Sequence, residues 1–175
     1  MPRIPEISAK EQLPEDQRHI WDEIAGSRGA VQGPFRLMLH NPEIAGRVAH
    51  VGTYFRFEGG LDPALREMAI LTTARAMDCV YIFAVHQAAA RAAGVSQATI
   101  SAVDQHRPDE LAPNERWVYD TVNQLVAKHR IPKELYESAQ TKLGVKGLVE
   151  LFGLVGYYSM LATTFNAFEM EAPPG

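Results

Sequence analysis

Prolines stand at the head of one apolar-periodic segment after another, and this punctuation limits what the chain can fold into more than any other feature. Asn41-Pro42 and Asp62-Pro63 pair an N-capping side chain with the residue best suited to the first helical position. Pro14, Gly33-Pro34, Pro113 and Ile131-Pro132 open further segments in the same way. Behind them apolar residues recur at helical spacing: Ile20, Trp21 and Ile24; Ala45, Val48, Ala49, Gly52 and Phe55; Trp117, Val118, Thr121, Val122 and Leu125. No alternating strand pattern bounded by turns occurs, so the expected class is all-α.

The remaining punctuation sets the predicted boundaries. A first helix closes at Gly26 and a second short one follows Gly33. A third runs over about 42–57, and a turn at Glu58-Gly59-Gly60 leads to a fourth over 63–77. Asp78 reads as the cap of a fifth, with Cys79 at its first position and Gly94 as its stop. Ser96 caps a short helix to about Asp104, a surface loop with Pro108 follows, and another helix opens at Pro113 or Asn114. Pro132 starts a segment ended by Gly144, and 145–169 forms the longest helix, apolar nearly all round and hence buried on several sides. Within it Gly153 and Gly156 remove side chains so that another helix can approach. Residues 1–13, with Pro2 and Pro5, read as an N-terminal arm; 14–172 read as one helical domain; Pro173-Pro174 fall outside the fold.

A chain of 175 residues with 46% apolar content is long enough to bury roughly 70% of its unfolded surface in one core. A net charge of −4 with both signs interspersed gives no electrostatic ground for a nucleic-acid or membrane-surface partner. The single cysteine forms no internal disulfide, no signal-peptide pattern opens the sequence, and the expected location is the cytoplasm. No apolar run approaches about 18 uninterrupted residues, since the last helix carries Glu150 and Asn166, so no membrane span is expected. Ser27 to Gly33 lacks the ending of a phosphate loop, and His40, His50 and His86 fit no metal-ligand spacing, so no metal is expected.

Chemistry concentrates between Glu67 and His86. Positions 79, 82, 83 and 86 follow i, i+3, i+4, i+7 spacing, which sets Cys79, Ile82, Phe83 and His86 on one helix face. If the preceding helix packs on that face, Glu67 reaches it. On spacing alone Glu67 is either a surface carboxylate paired with Arg66 or Arg75, or a carboxylate between apolar helices with its pKa raised by desolvation. His86 is either a satisfied core histidine or a proton-transfer group, and Cys79 either an inert buried thiol or one activated by the free N–H groups of a helix start, with Asp78 opposing.

Glu67, twelve residues to Cys79, three to position 82 and four to His86 is similar to the signature of the carboxymuconolactone decarboxylase and alkylhydroperoxidase-D superfamily. Its redox branch reads Glu…Cys-x-x-Cys-x-x-x-His; its decarboxylase branch commonly places Tyr-Glu-Trp or Tyr-Glu-Phe before the His, where this chain has Tyr81-Ile82-Phe83. The last helix, Val149 to Phe168, and Gly33-Pro34-Phe35 also resemble longer members, so the resemblance spans about Gly33 to Phe168. It implies an alkylhydroperoxidase-D-like helical bundle, a homo-oligomer (trimer or hexamer), and a cofactor-free decarboxylase acting on a small carbonyl-bearing organic acid. The residues aligned with Glu67 and His86 would relay protons. Tyr81, Ile82 and Phe83 would line the substrate, Arg47 or Arg75 would clamp a carboxylate, and Tyr81 or Tyr157 would offer a hydroxyl. The other implied activity is a thiol-dependent peroxidase using Cys79 with an external reductant. Without a second cysteine at position 82 the two-thiol cycle does not close within one site.

Overall fold

A computed structural model describes residues 2–172, so Pro173 and Pro174 lie outside the described residues. Among those described there is no strand. The helices are α1 (Arg18–Arg28), α2 (Pro34–Met38), α3 (Pro42–Thr53), α4 (Pro63–Ala76), α5 (Val80–Ala92), α6 (Gln97–Asp104), α7 (Pro113–Lys128) and α8 (Lys133–Ala167). They fall into two compact units, one of Pro2–Gly59 and one from Gly60 onward.

In the N-terminal unit, α1 and α2 pack on α3, which Asn41 caps by accepting from Ile44 N–H at 3.2 Å. Gly46 makes the α1–α3 approach possible, since a Cβ there would sit 3.2 Å from the Ile20 side chain. Helix α1 runs through Gly26 and stops at Gly29, whose φ of 79° supplies the left-handed turn that the expected stop at Gly26 does not. Arg28 then folds back, donating to Ala49 O at 2.7 Å and Thr53 Oγ1 at 3.1 Å and lying over the Phe35 ring. The segment expected as an arm is tied down: Ile7 N–H donates to Arg36 O at 2.9 Å, Glu6 pairs with Arg36, and Leu13 is buried. After α3 the chain widens into a π-helical turn over Tyr54–Glu58.

In the C-terminal unit, α4 is the central element, contacted by α5, α6, α7 and α8. Every residue from Glu67 to Ala74 is buried. A helix enclosed on all sides needs its polar side chains satisfied locally, and Thr72 and Thr73 donate to Met68 O and Ala69 O one turn back. Asp62 caps α4 by accepting from Ala64 and Leu65 N–H, as its Asp-Pro start predicts. The approach to α4 is fixed by buried Glu150 of α8, whose Oε1 accepts from Leu61 N–H at 3.1 Å.

Helix α8 is two helical segments that meet at a kink at Gly144, where φ is 65° and ψ 176°. That is the break the sequence predicts. Only glycine adopts this region without strain, and a Cβ at Gly144 would meet nothing within 4 Å. Gly144→Ala is therefore expected to destabilise the protein by about 1–3 kcal/mol from backbone strain alone, measured as a shift of the urea midpoint at constant m. An unchanged midpoint would mean the break is not required. Beyond it α8 buries Leu148, Leu151, Leu154, Tyr158, Leu161 and Phe165 against the unit. By length and composition α8 could cross a bilayer, but 56% of its most apolar window is already buried inside the protein. Within the chain, among the described residues, no other helix comes close to Gly156, which is exposed and where a Cβ would meet nothing within 4 Å.

Candidate active site

The turn from α4 to α5 sets the register of the site. Asp78 adopts a left-handed φ of 50°, Cys79 N–H donates to Ala74 O at 2.8 Å, and Asn166 of α8 donates to Met77 O at 2.7 Å. These bonds close the end of α4 and place Cys79, rather than Asp78, at the N-cap of α5. Asp78 is exposed and 3.9 Å from Arg75. The residue in the left-handed turn cannot also be the extended cap, so the boundary moves one residue along.

From that start, Cys79, Ile82, Phe83 and His86 all fall on the buried face of α5. Opposite, Glu67 of α4 and His86 form a buried pair: Nδ1 lies 2.8 Å from Glu67 Oε2, with the residues 4% and 7% exposed. The other carboxylate oxygen, Oε1, accepts from Arg66 Nε at 3.4 Å. On the remaining side the Tyr158 ring stands edge-on to the imidazole at 5.2 Å and 89°, and Tyr157 stacks edge-on behind Tyr158. Tyr81 is half-buried, its ring edge-on to Phe165 at 5.4 Å.

Electrostatics depart from the expectation at two groups. Burial raises the pKa of Glu67, but the hydrogen bond and charge of His86, joined by Arg66, outweigh burial and hold the carboxyl below its ordinary value. The predicted rise is thus overturned by partners that spacing does not specify. Cys79 departs the other way: burial pushes its thiol up, and the backbone N–H groups of Ile82 and Tyr81 offset only part of the effect. The helix start does act on the sulfur, but desolvation dominates.

An ionised carboxylate accepts hydrogen bonds and donates none. The Glu67–His86 bond therefore requires the proton on Nδ1, and in the neutral imidazole Nε2 is left bare. When the ring is protonated, Nε2 carries the transferable proton while Glu67 stabilises the positive charge. This is the arrangement of an acid–base histidine backed by a carboxylate.

The two expected clamp arginines are engaged elsewhere. Arg47 belongs to the N-terminal unit, is exposed and pairs with Glu43. Arg75 donates to Asp104 O at 2.7 Å and lies 3.5 Å from its carboxylate. Tyr158, rather than Tyr157, is the ring against His86. No spacing rule separates the two tyrosines, because the choice depends on how α8 is rotated against α5. Arg66 was identified in the sequence only as a surface partner of Glu67; the pair exists, but with the arginine side chain 19% exposed it is largely enclosed.

Residues 42–123 match the model of the Carboxymuconolactone decarboxylase family, a span that contains Glu67, Cys79 and His86. No curated protein matches the chain in sequence. Among solved structures, the alkylhydroperoxidase AhpD core of a peroxidase-related protein from Ralstonia eutropha JMP134 is similar, with a TM-score of 0.80, 19% identity, and coverage of 98% of this chain and 92% of that one. A peroxidase-related protein from Silicibacter sp. TM1040 matches with a TM-score of 0.77 at 16% identity, covering 98% and 94%. At such identities the likeness speaks for the fold alone. Over residues 42–123 the chain is thus similar to the carboxymuconolactone decarboxylase family, and as a whole it has the fold of the alkylhydroperoxidase AhpD core.

Proposed function

We propose that the chain is a cofactor-free lyase that decarboxylates a small organic acid bearing a carbonyl group, of the 4-carboxymuconolactone kind, with His86 as proton donor and Glu67 as its partner. The observation that carries this reading is the buried 2.8 Å contact between Glu67 Oε2 and His86 Nδ1. In the step, the bond from carbon to the substrate carboxylate breaks and CO₂ leaves. The electron pair spreads into the neighbouring carbonyl as an enolate, and Nε2–H of the imidazolium delivers a proton to carbon. Glu67 keeps the imidazolium charged until transfer, and the ring regains its proton from water. Buried Ile82 and Phe83 would keep water from this face of α5, strengthening the charge interactions of the pair. Exposed apolar residues along α8, Val145, Val149 and Met160, support the further expectation that copies of the chain assemble.

A second reading is favoured by one specific observation, that the two solved structures described above are peroxidase-related. Here the Cys79 thiolate would attack a hydroperoxide, giving a sulfenic acid and an alcohol, and two equivalents of an external thiol would restore it. The raised thiol pKa and near-complete burial of Cys79 count against it. The deciding experiment is CO₂ release from 4-carboxymuconolactone by the full chain and by Cys79→Ser. The lyase reading expects turnover by both at the same rate. Absence of CO₂ release, together with thiol-dependent peroxide consumption that disappears in Cys79→Ser, would replace it with the peroxidase reading.

A further inference from the structure

Arg66 occupies an unusual position for an arginine. It lies in the first turns of α4, largely enclosed, and the one polar contact of its side chain among the described residues is the single long bond from Nε to Glu67 Oε1 at 3.4 Å. A guanidinium carries five N–H donors in a rigid fork, so this bond leaves the Nη edge uncommitted. Three other arginines of this unit have carboxylates of their own: Arg75 has Asp104, Arg107 has Glu110, and Arg116 has Asp109 and Asp120, while exposed Arg91 donates to the Gln97 amide oxygen.

Charge points to the same ligand. Arg66, Glu67 and neutral His86 sum to zero, and protonation of His86 leaves one uncompensated positive charge in an otherwise apolar setting. Tyr158 of α8 stands against the imidazole with Tyr157 next to it, and Cys79 and Tyr81 precede His86 along α5; tyrosine and cysteine are not anionic in ordinary form near neutral pH. An enclosed cluster of that charge is complementary to a monoanion, and a planar fork suits a carboxylate best.

We propose that Arg66 is the carboxylate-binding residue of this site, holding an anionic ligand through its Nη edge while Nε stays on Glu67, and that binding is coupled to uptake of one proton by His86. This rests on the acid–base reading above and deepens it by naming the group that recognises the acid. The Arg66–Glu67–His86 row then uses one end for recognition and the other for proton transfer, with Glu67 as the link.

The test uses the full chain and succinate, a carboxylate with no labile CO₂, in isothermal titration calorimetry with buffers of different ionisation heat. Wild type is expected to bind with uptake of a proton. Arg66→Met should weaken binding about 10- to 100-fold, as loss of a charge-assisted bidentate contact implies, with Arg66→Lys intermediate. Arg75→Met should bind as wild type, and His86→Asn should bind without proton uptake. Circular dichroism and melting confirm that each variant is folded. No binding by wild type, or equal binding by folded Arg66→Met, overturns the proposal. Arg66-dependent binding without CO₂ release from 4-carboxymuconolactone would uphold the handle and remove the lyase reading. Turnover with KM unchanged in Arg66→Met would remove the handle and keep the lyase.

Discussion

His86→Asn is expected to lower turnover by about 10²- to 10⁴-fold, the range that a positioned proton donor supplies, while leaving the protein folded. Asparagine occupies much of the space of the imidazole, and its amide N–H can still donate to Glu67 Oε2, so the buried carboxylate keeps a partner. What it lacks is a ring nitrogen that can take up and give back a proton. The loss should appear in kcat, since the interaction removed is made as the proton moves. His86→Ala would be a poorer test, because it abandons a carboxylate that is 4% exposed and so mixes catalysis with stability. Measurement of kcat and KM for CO₂ release, beside the melting temperature, separates the two. Full activity in folded His86→Asn would remove the histidine from the chemistry.

The second large effect is expected at the other end of the bond. Glu67→Gln keeps the shape of the side chain but removes its charge and its obligation to accept. A glutamine turned with its amide toward the ring donates to Nδ1, forcing the proton onto Nε2 and abolishing the bare nitrogen of the neutral form. Turned the other way, it accepts from Nδ1 but no longer stabilises the imidazolium. Either way turnover should fall by about 10²- to 10⁴-fold. The same variant should change the acid limb of stability. In the folded protein Glu67 is held below its ordinary value near 4.5 by His86 and Arg66, which together outweigh burial. A depressed carboxyl pKa stabilises the fold above the unfolded value, and that stabilisation is lost as pH falls through the folded value. Wild type should therefore lose melting temperature on acidification below about 4.5 more steeply than Glu67→Gln. Identical acid limbs would show that the pair does not act on stability.

How much of this was legible in the sequence follows from what kind of information each feature needs. The prolines at 34, 42, 63 and 113 each head a helix as expected, and Gly144 breaks α8 where predicted, because cap chemistry and a left-handed φ are local demands. Where local signals compete, an error of one to three residues enters. Helix α1 stops at Gly29, past the expected Gly26, and α5 starts from Cys79 because the left-handed φ of Asp78 takes that residue out of the cap. The meeting of Glu67 and His86 was legible from periodicity once α4 was expected to lie on α5. The direction of the Glu67 pKa was not, because it turns on whether Arg66 and His86 face the carboxylate, which no spacing rule states. Tyr158 escaped, and Arg66 was read only as a surface partner of Glu67, for the same reason: their places depend on the rotation of α8 and the path of a long side chain over the start of α4.

The central claim is that Glu67 fixes the His86 proton on Nδ1 and leaves Nε2 as the reactive nitrogen. Long-range proton–nitrogen correlation NMR on uniformly ¹⁵N-labelled protein, with His86 assigned by its absence in His86→Asn, reads the tautomer without any substrate. The account predicts a neutral ring with a pyrrole-type Nδ1 and a pyridine-type Nε2 at alkaline pH, both nitrogens becoming protonated on acidification. A neutral ring carrying its proton on Nε2 would contradict it, since Glu67 could then not be the ionised acceptor on which the proposed chemistry depends.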